Sequence, residues 1–234
     1  MHDDQRLIKI GACCGILGIL LYLALAISDP YIGPQTKNTH EFLAAWGTPK
    51  YIAVNMIMHF MFAAATLLWL VAFIGLNRLL GEERRVAVQV GTIFGIVACA
   101  IMAEMMIVQG SVMSKMGQAF LSAKAESDRA LTVAVYKGLR SIDLGMDLAF
   151  DTFFFSAWIL LGYSMLRHRD FGKIFGGIGI ALFVLAAGFN LQAAPDPPAF
   201  DLGPIAALWI LAVFVQMLRV NKRVRARSEQ LENR

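Results

Sequence analysis

Six long blocks of apolar sequence, the fourth alone carrying more than two charges, dominate this chain of 234 residues. Each reaches the ~20 residues that an α-helix needs to cross a hydrocarbon core. Within the blocks apolar and polar residues do not alternate with period two, as the strands of a lipid-exposed β-barrel would require. Helices are then the remaining way to satisfy every backbone N–H and C=O inside a bilayer. The sequence therefore predicts an all-α polytopic membrane bundle with spans at about 8–28, 51–79, 86–112, 135–166, 173–193 and 201–220. Residues 1–220 form the membrane domain and 221–234 a basic tail. Only 16% of residues are charged, against roughly 25% in a soluble domain.

Lys and Arg in the connections give the orientation. Fourteen fall at the N-terminus, in the second and fourth loops and in the tail, and seven in the remaining loops. The richer side is expected to be cytoplasmic, which puts both termini there. The tail run Arg219, Lys222, Arg223, Arg225 and Arg227 suits anionic lipid at that face. A net charge of +4 is accounted for in this way without nucleic acid. Lys9, the apolar stretch after it and Ala24-Leu25-Ala26 are laid out like a secretory signal, and are read here as a retained anchor. Cys13, Cys14 and Cys99 have neither disulfide nor thiolate-metal spacing and are expected to be buried as small apolar residues.

Between the first two spans, Asn38 followed by Glu41 reads as a capping box that starts a short helix. Phe42 and Trp46, four residues apart, suit the membrane interface. Gly117 to Tyr136 is the most polar external stretch, and Ser127-Asp128-Arg129 in it can start the fourth span early. A faint internal repeat pairs Trp69 and Arg78 with Trp158 and Arg167, nine residues apart in both, and would match Glu104 with Asn190.

Trp158, Arg167 and Gly176-Gly177-Ile178-Gly179, with Asp151 before them and a Gly-rich first span, form a pattern. It resembles an uncharacterised bacterial family of multi-pass membrane proteins of similar length, a domain of unknown function. The resemblance implies a bacterial cytoplasmic (inner) membrane location and supplies no mechanism.

Costly residues gather in the outer halves of the spans: Asn55 and His59 in the second, Glu104 and Gln109 in the third, Asp143, Asp147 and Asp151 in the fourth, Asn190 and Gln192 at the end of the fifth. Asn55 and His59 share a helix face, and the three Asp form a stripe that drifts by about 40° per step. An ionised Asp at mid-bilayer costs roughly 2.5–3.5 kcal/mol, so such groups should line a cavity rather than face lipid. Arg140 and Lys137 stand ready to neutralise Asp143. The candidate ligand-binding set is Asn55, His59, Glu104, Asp147, Asp151 and Asn190, with His59, Glu104 and Asp147 the candidate ligands of a metal ion. Nine of the twelve Met lie in or near the same outer halves, a soft-ligand pattern as well as ordinary gap filling. A haem would need an axial partner for His59 from His40 or a Met, and is not expected.

HExxH, GxSxG, CxxC and a phosphate-binding Gly loop are all absent from the sequence, and no enzyme class is indicated. The expected function is a pocket, open to the outside, that binds or moves a cation, a metal ion or a small polar ligand. Two alternatives stand beside it. One is a structural or accessory subunit, in a homo-oligomer or larger membrane complex, docking through Phe153-Phe154-Phe155. The other is a metal-dependent membrane enzyme.

Overall fold

The computed structural model describes residues 2–32, 34, 36, 38–81, 85–194 and 202–232, the side chains of 2, 29–32 and 225–232 excepted. The described residues form seven helices: α1 (His2–Ile32), α2 (Thr39–Trp46), α3 (Pro49–Leu80), α4 (Arg85–Ser122), α5 (Glu126–Met165), α6 (Gly172–Ala193) and α7 (Gly203–Glu232). All but α2 are long and apolar enough to cross a membrane. The chain is thus a multi-pass helical membrane protein, with both described ends on one face. That face is called terminal here, and the opposite one distal.

The six spans close into a ring. α1 packs on α3, α3 on α4, α4 on α5 and α5 on α6, while α7 joins α6 and returns to α1. Glycine sets the tightest crossings. A Cβ on Gly11 of α1 would lie 2.8 Å from the Cα of Gly75 on α3, so the two backbones touch. Elsewhere glycine makes a notch for an aromatic ring, Gly15 of α1 for Phe214 and Gly179 of α6 for Trp209, both from α7. Such small-residue contacts are how membrane helices gain packing when lipid already satisfies their apolar surface.

On the terminal side the ring is filled by aromatic side chains. Trp158, 1% exposed, stands at the hub and meets Phe73, Phe154, Phe183, Trp209 and Phe214 at centroid distances of 5.3–6.2 Å. Phe153-Phe154-Phe155 belongs to this interior: Phe153 packs on Phe94, Phe154 is buried, and Phe155 meets Phe183. It is therefore not an outward docking face. Three consecutive residues fan over some 200° of helix, and here α4, the bundle centre and α6 take one each.

Three boundaries differ from the expectation. The third span, expected to end near 112, continues as helix to Ser122, and the polar stretch from Gly117 is mostly helical, with 123–125 as the turn. Hydropathy falls there because α4 has left the lipid, whereas its helix is kept by packing on α2 and α5. Leu43, Phe120 and Val133 form a small apolar core at that distal hairpin, where Gly47 and Gly117 pass backbone to backbone. The first helix runs on through Asp29-Pro30 to Ile32, beyond the expected end at 28. The tail is helical through Glu232, an extension of the last span; the side chains of Arg225 and Arg227 and all of Arg234, like Lys37, Arg84 and most of the fifth loop (195–201), lie outside the described residues.

The cap of α2 forms in part. Asn38 Oδ1 accepts from His40 N at 2.9 Å, but Glu41 turns to Thr36, whose hydroxyl donates to it at 2.5 Å. Phe42 and Trp46 meet edge to face, with Trp46 buried. Of the cysteines only Cys99 is buried; Cys13 is exposed and Cys14 intermediate, since neighbours 100° apart cannot both point inward.

Candidate functional site

Above the aromatic fill the ring opens into a cavity of about 930 Å³, walled by all six spans. Along α5 it runs from Phe155 to Arg140, about 22 Å at 1.5 Å per residue. Much of its wall is aromatic: Phe62 and Trp69 from α3, Phe150 and Phe154 from α5, Phe183 and Phe189 from α6. Tyr22 of α1 joins them, its ring 5.5 Å from that of Trp69 and 5.9 Å from that of Phe62.

The polar groups of this wall come chiefly from one face of α5. Arg140, Asp147 and Asp151 are seven and eleven residues apart, within about 40° of each other around the helix. Asn190 of α6 also lines the cavity, and its amide donates to Asp151 Oδ2 at 2.5 Å. The same bond sets the level of the two helices. Asp151 lies beside a residue three short of the distal end of α6, so α5 projects far beyond its neighbour.

A second polar group forms higher on the bundle. Asn55, fully buried, donates to Gly110 O at 2.7 Å and to Ser114 Oγ at 3.0 Å, joining α3 to α4. His59 Nδ1 lies 2.8 Å from Asn55 O, and since a carbonyl only accepts, that nitrogen carries the proton of this bond. Its Nε2 is 3.3 Å from Gln109 Oε1, itself an acceptor, so with the ring proton on Nδ1 the two are in contact without a hydrogen bond. Gln109 Nε2 donates to Asp143 Oδ1 at 2.5 Å, and Asp143 Oδ2 takes the guanidinium of Arg140 in an ion pair. These polar contacts cross three helices and end on the arginine at the cavity mouth. Gly110 is needed where His59 crosses α4, since a Cβ there would approach the His59 Cβ to 3.0 Å.

The expected single constellation thus divides in two. Asp147, Asp151 and Asn190 share the cavity, whereas Asn55 and His59 belong to the α3–α4 contact that leads to Asp143, one helical turn (about 6 Å) beyond Asp147 on α5. The Asp stripe splits because its drift turns Asp143 toward α4 and leaves the other two facing inward. Glu104 joins neither set. It is exposed, in line with Ala100, Ile107 and Val108, and does not line this cavity. Five residues below Gln109, it sits near the level where α6 ends.

The expected metal set is accordingly not assembled. His59 is in the α3–α4 contact, Glu104 points outward and Asp147 faces the cavity. Among the described residues no three His, Cys, Asp or Glu side chains converge as a metal site needs. The proposed match of Glu104 with Asn190 likewise pairs an outward residue with a cavity residue. Arg140, Thr66 and Tyr22 were not among the candidates yet line the cavity; for Arg140 the signal was there, in its i, i+7, i+11 relation to the two Asp.

No family model, no curated protein and no solved structure matches this chain, so its own residues carry the functional case.

Proposed function

We propose that this multi-pass membrane protein binds, from its distal side, a small organic cation with an apolar body. Asp147 and Asp151 hold the charge and the aromatic wall holds the body. The observation that carries this reading is one cavity containing two carboxylates on a single helix face beside a wall of aromatic rings, with the guanidinium of Arg140 at its mouth engaged by Asp143. The size supports an organic ligand over a bare ion: about 930 Å³ is at the upper end of the 300–1,000 Å³ typical of small-molecule sites. A hard cation needs six or more oxygens in a tight shell, and carboxylates four residues apart along a helix do not make one. Aromatic faces add their own attraction for a cation, roughly 0.5–2 kcal/mol each depending on desolvation.

The charge asymmetry of the loops supports a distal face that lies away from the cytoplasm. The aromatic fill around Trp158 closes the cavity toward the terminal face, which fits binding in the conformation described. Movement of the ligand across the bilayer would require that fill to open.

The test uses purified protein in lipid nanodiscs with two probes, benzyltrimethylammonium and tetramethylammonium. Benzyltrimethylammonium should raise the unfolding temperature with saturation, and the ring-less probe much less. At 100 times Kd the gain is about 2.7 kcal/mol. Asp147→Asn/Asp151→Asn should unfold like the wild type and lose the effect. Equal stabilisation of that variant, or none in the wild type at tens of millimolar probe, overturns the reading.

A further inference from the structure

The polar group at the distal rim is one proton short of a complete set of hydrogen bonds. His59 lies between two acceptors, Asn55 O at 2.8 Å from Nδ1 and Gln109 Oε1 at 3.3 Å from Nε2. A neutral imidazole has one N–H and one lone pair, so it can serve only one of them. The ring cannot turn over, because a ring carbon would then stand 2.8 Å from Asn55 O, well inside the ~3.3–3.6 Å of a C–H···O contact. Gln109 is fixed as well. Its Nε2 donates to Asp143 Oδ1 at 2.5 Å, and a turned amide would set oxygen against carboxylate there. The other oxygen of Asp143 takes the guanidinium of Arg140. With a neutral imidazole and an ionised Asp143, every arrangement leaves two lone pairs face to face, an exception among buried polar groups that calls for a cause.

We propose that His59, Gln109 and Asp143 form a proton-binding site, with the bound proton on His59 Nε2. Imidazole takes up one proton from water and becomes imidazolium; no other bond forms or breaks. Nε2–H then donates to Gln109 Oε1, and the facing lone pairs are gone. Hydrogen bonds run without a break from Asn55 O through the imidazolium, the Gln109 amide and the Asp143 carboxylate to Arg140. They tie α3 to α4 and α4 to α5, and Asp143 offsets the new charge across one amide. Water reaches the chain of bonds at its α5 end, where the side chain of Arg140 is 47% and that of Asp143 14% exposed. Histidine is the side chain whose charge ordinarily changes between pH 5 and 8. The extra bond is therefore present when the distal side is acidic and lost as its pH rises.

The other charged and titratable groups of the neighbouring helices are engaged or turned elsewhere. On α5, Asp147 stands one turn below Asp143 and faces the cavity, and Lys137 is exposed. On α4, Glu104 and Lys115 are exposed, about 120–140° around the helix from Gln109. Tyr22 of α1 packs on Phe62, and Tyr51 of α3 on Trp46 of α2. His40 of α2 packs on Phe120, three turns along α4 from Gln109. Asp143 is the carboxylate that the polar contacts join to His59.

The experiment reads the ring nitrogens of His59 by nitrogen-15 NMR of the histidine-labelled full chain in nanodiscs. His2→Gln/His40→Gln/His168→Gln leaves His59 as the one labelled histidine. Should that chain fail to fold, the difference between wild type and His59→Gln identifies the signals. From pH 8 to pH 5, one N–H and one bare nitrogen should give way to two N–H nitrogens. Asp143→Asn can donate to a turned Gln109, whose Nε2 then donates to a neutral His59, so the change should need a pH lower by about one unit or more. Gln109→Leu keeps the charge of Asp143 and removes only the acceptor, and should shift the change in the same direction. A ring that keeps its bare nitrogen down to pH 5 overturns the proposal. So does a change at the wild-type pH in either variant. These readouts involve no cavity ligand, so the proton site and the cation site stand or fall separately.

Discussion

At the crossing of α1 and α3, adding one methyl group should open two helices. A Cβ on Gly11 would stand 2.8 Å from Gly75 Cα and 3.1 Å from Val71 O, both backbone atoms that no rotamer change can move. Carbon atoms rest at about 3.5–4.0 Å, so Gly11→Ala needs a local separation of about 1 Å. A gap of that size forfeits a quarter to a half of each pair attraction of ~0.1–0.2 kcal/mol. Over the tens of atom pairs around Ile8, Ala12, Ala72 and Leu76, all buried here, this comes to about 1–3 kcal/mol, the range seen for overpacking. Against it stands about 1 kcal/mol gained when Ala replaces Gly in a helix. The net expectation is a loss of up to about 2 kcal/mol. Gly177→Ala is the counterpart, because a Cβ there meets nothing within 4 Å and only the propensity gain remains. Reversible unfolding in mixed micelles with increasing SDS, followed by circular dichroism, should shift the midpoint down for Gly11→Ala and leave it level or higher for Gly177→Ala. Shifts of the same sign and size in both would refute the reasoning.

Other changes address the site and its surroundings. Glu104→Gln should leave benzyltrimethylammonium binding unchanged in the thermal-shift assay, since Glu104 faces away from the cavity. Asn55→Leu removes both bonds from α3 to α4 and should lower the same SDS midpoint by about 1–2 kcal/mol. Trp158→Ala empties the hub of the aromatic fill and should cost about 3–5 kcal/mol, read as a lower yield of folded protein and a lower unfolding temperature. Leu43→Ala, at the fully buried centre of the distal hairpin, should raise hydrogen exchange in α2 and in 116–122 while leaving the spans protected.

Hydropathy made the spans legible because it reports contact with lipid, and it failed where a helix goes on without lipid. Ser114, Gly117 and Phe120 look like the start of a loop by composition, yet they are the buried face of α4 against its neighbours. The pairing of Asp143 with Arg140 was readable from a spacing of three, and the shared face of Asp147 and Asp151 from a spacing of four. The position of Glu104 was not. Its depth followed from its place in the block, but its direction depends on which face of α4 meets α5, and a nearly continuous apolar stretch does not mark that face. Cavity-lining aromatic residues such as Phe62, Phe150 and Phe189 were hidden for the same reason: inside a membrane protein, residues toward lipid and toward the core have the same polarity.

The ring is closed by its last helix, and this bears on the order in which the protein can be made. α7 packs on α1, with Phe214 in the notch at Gly15, and contributes Gly203, Ala206, Ala207 and Ile210 to the cavity wall. A nascent chain that has inserted α1 to α6 therefore holds a slot between its first and sixth helices, with Trp158 and Phe183 open along it. The cavity comes into being only when the final span leaves the ribosome and seats in that slot. Chains ending before residue 203 should insert into the bilayer and still be recognised as unfinished by membrane proteases.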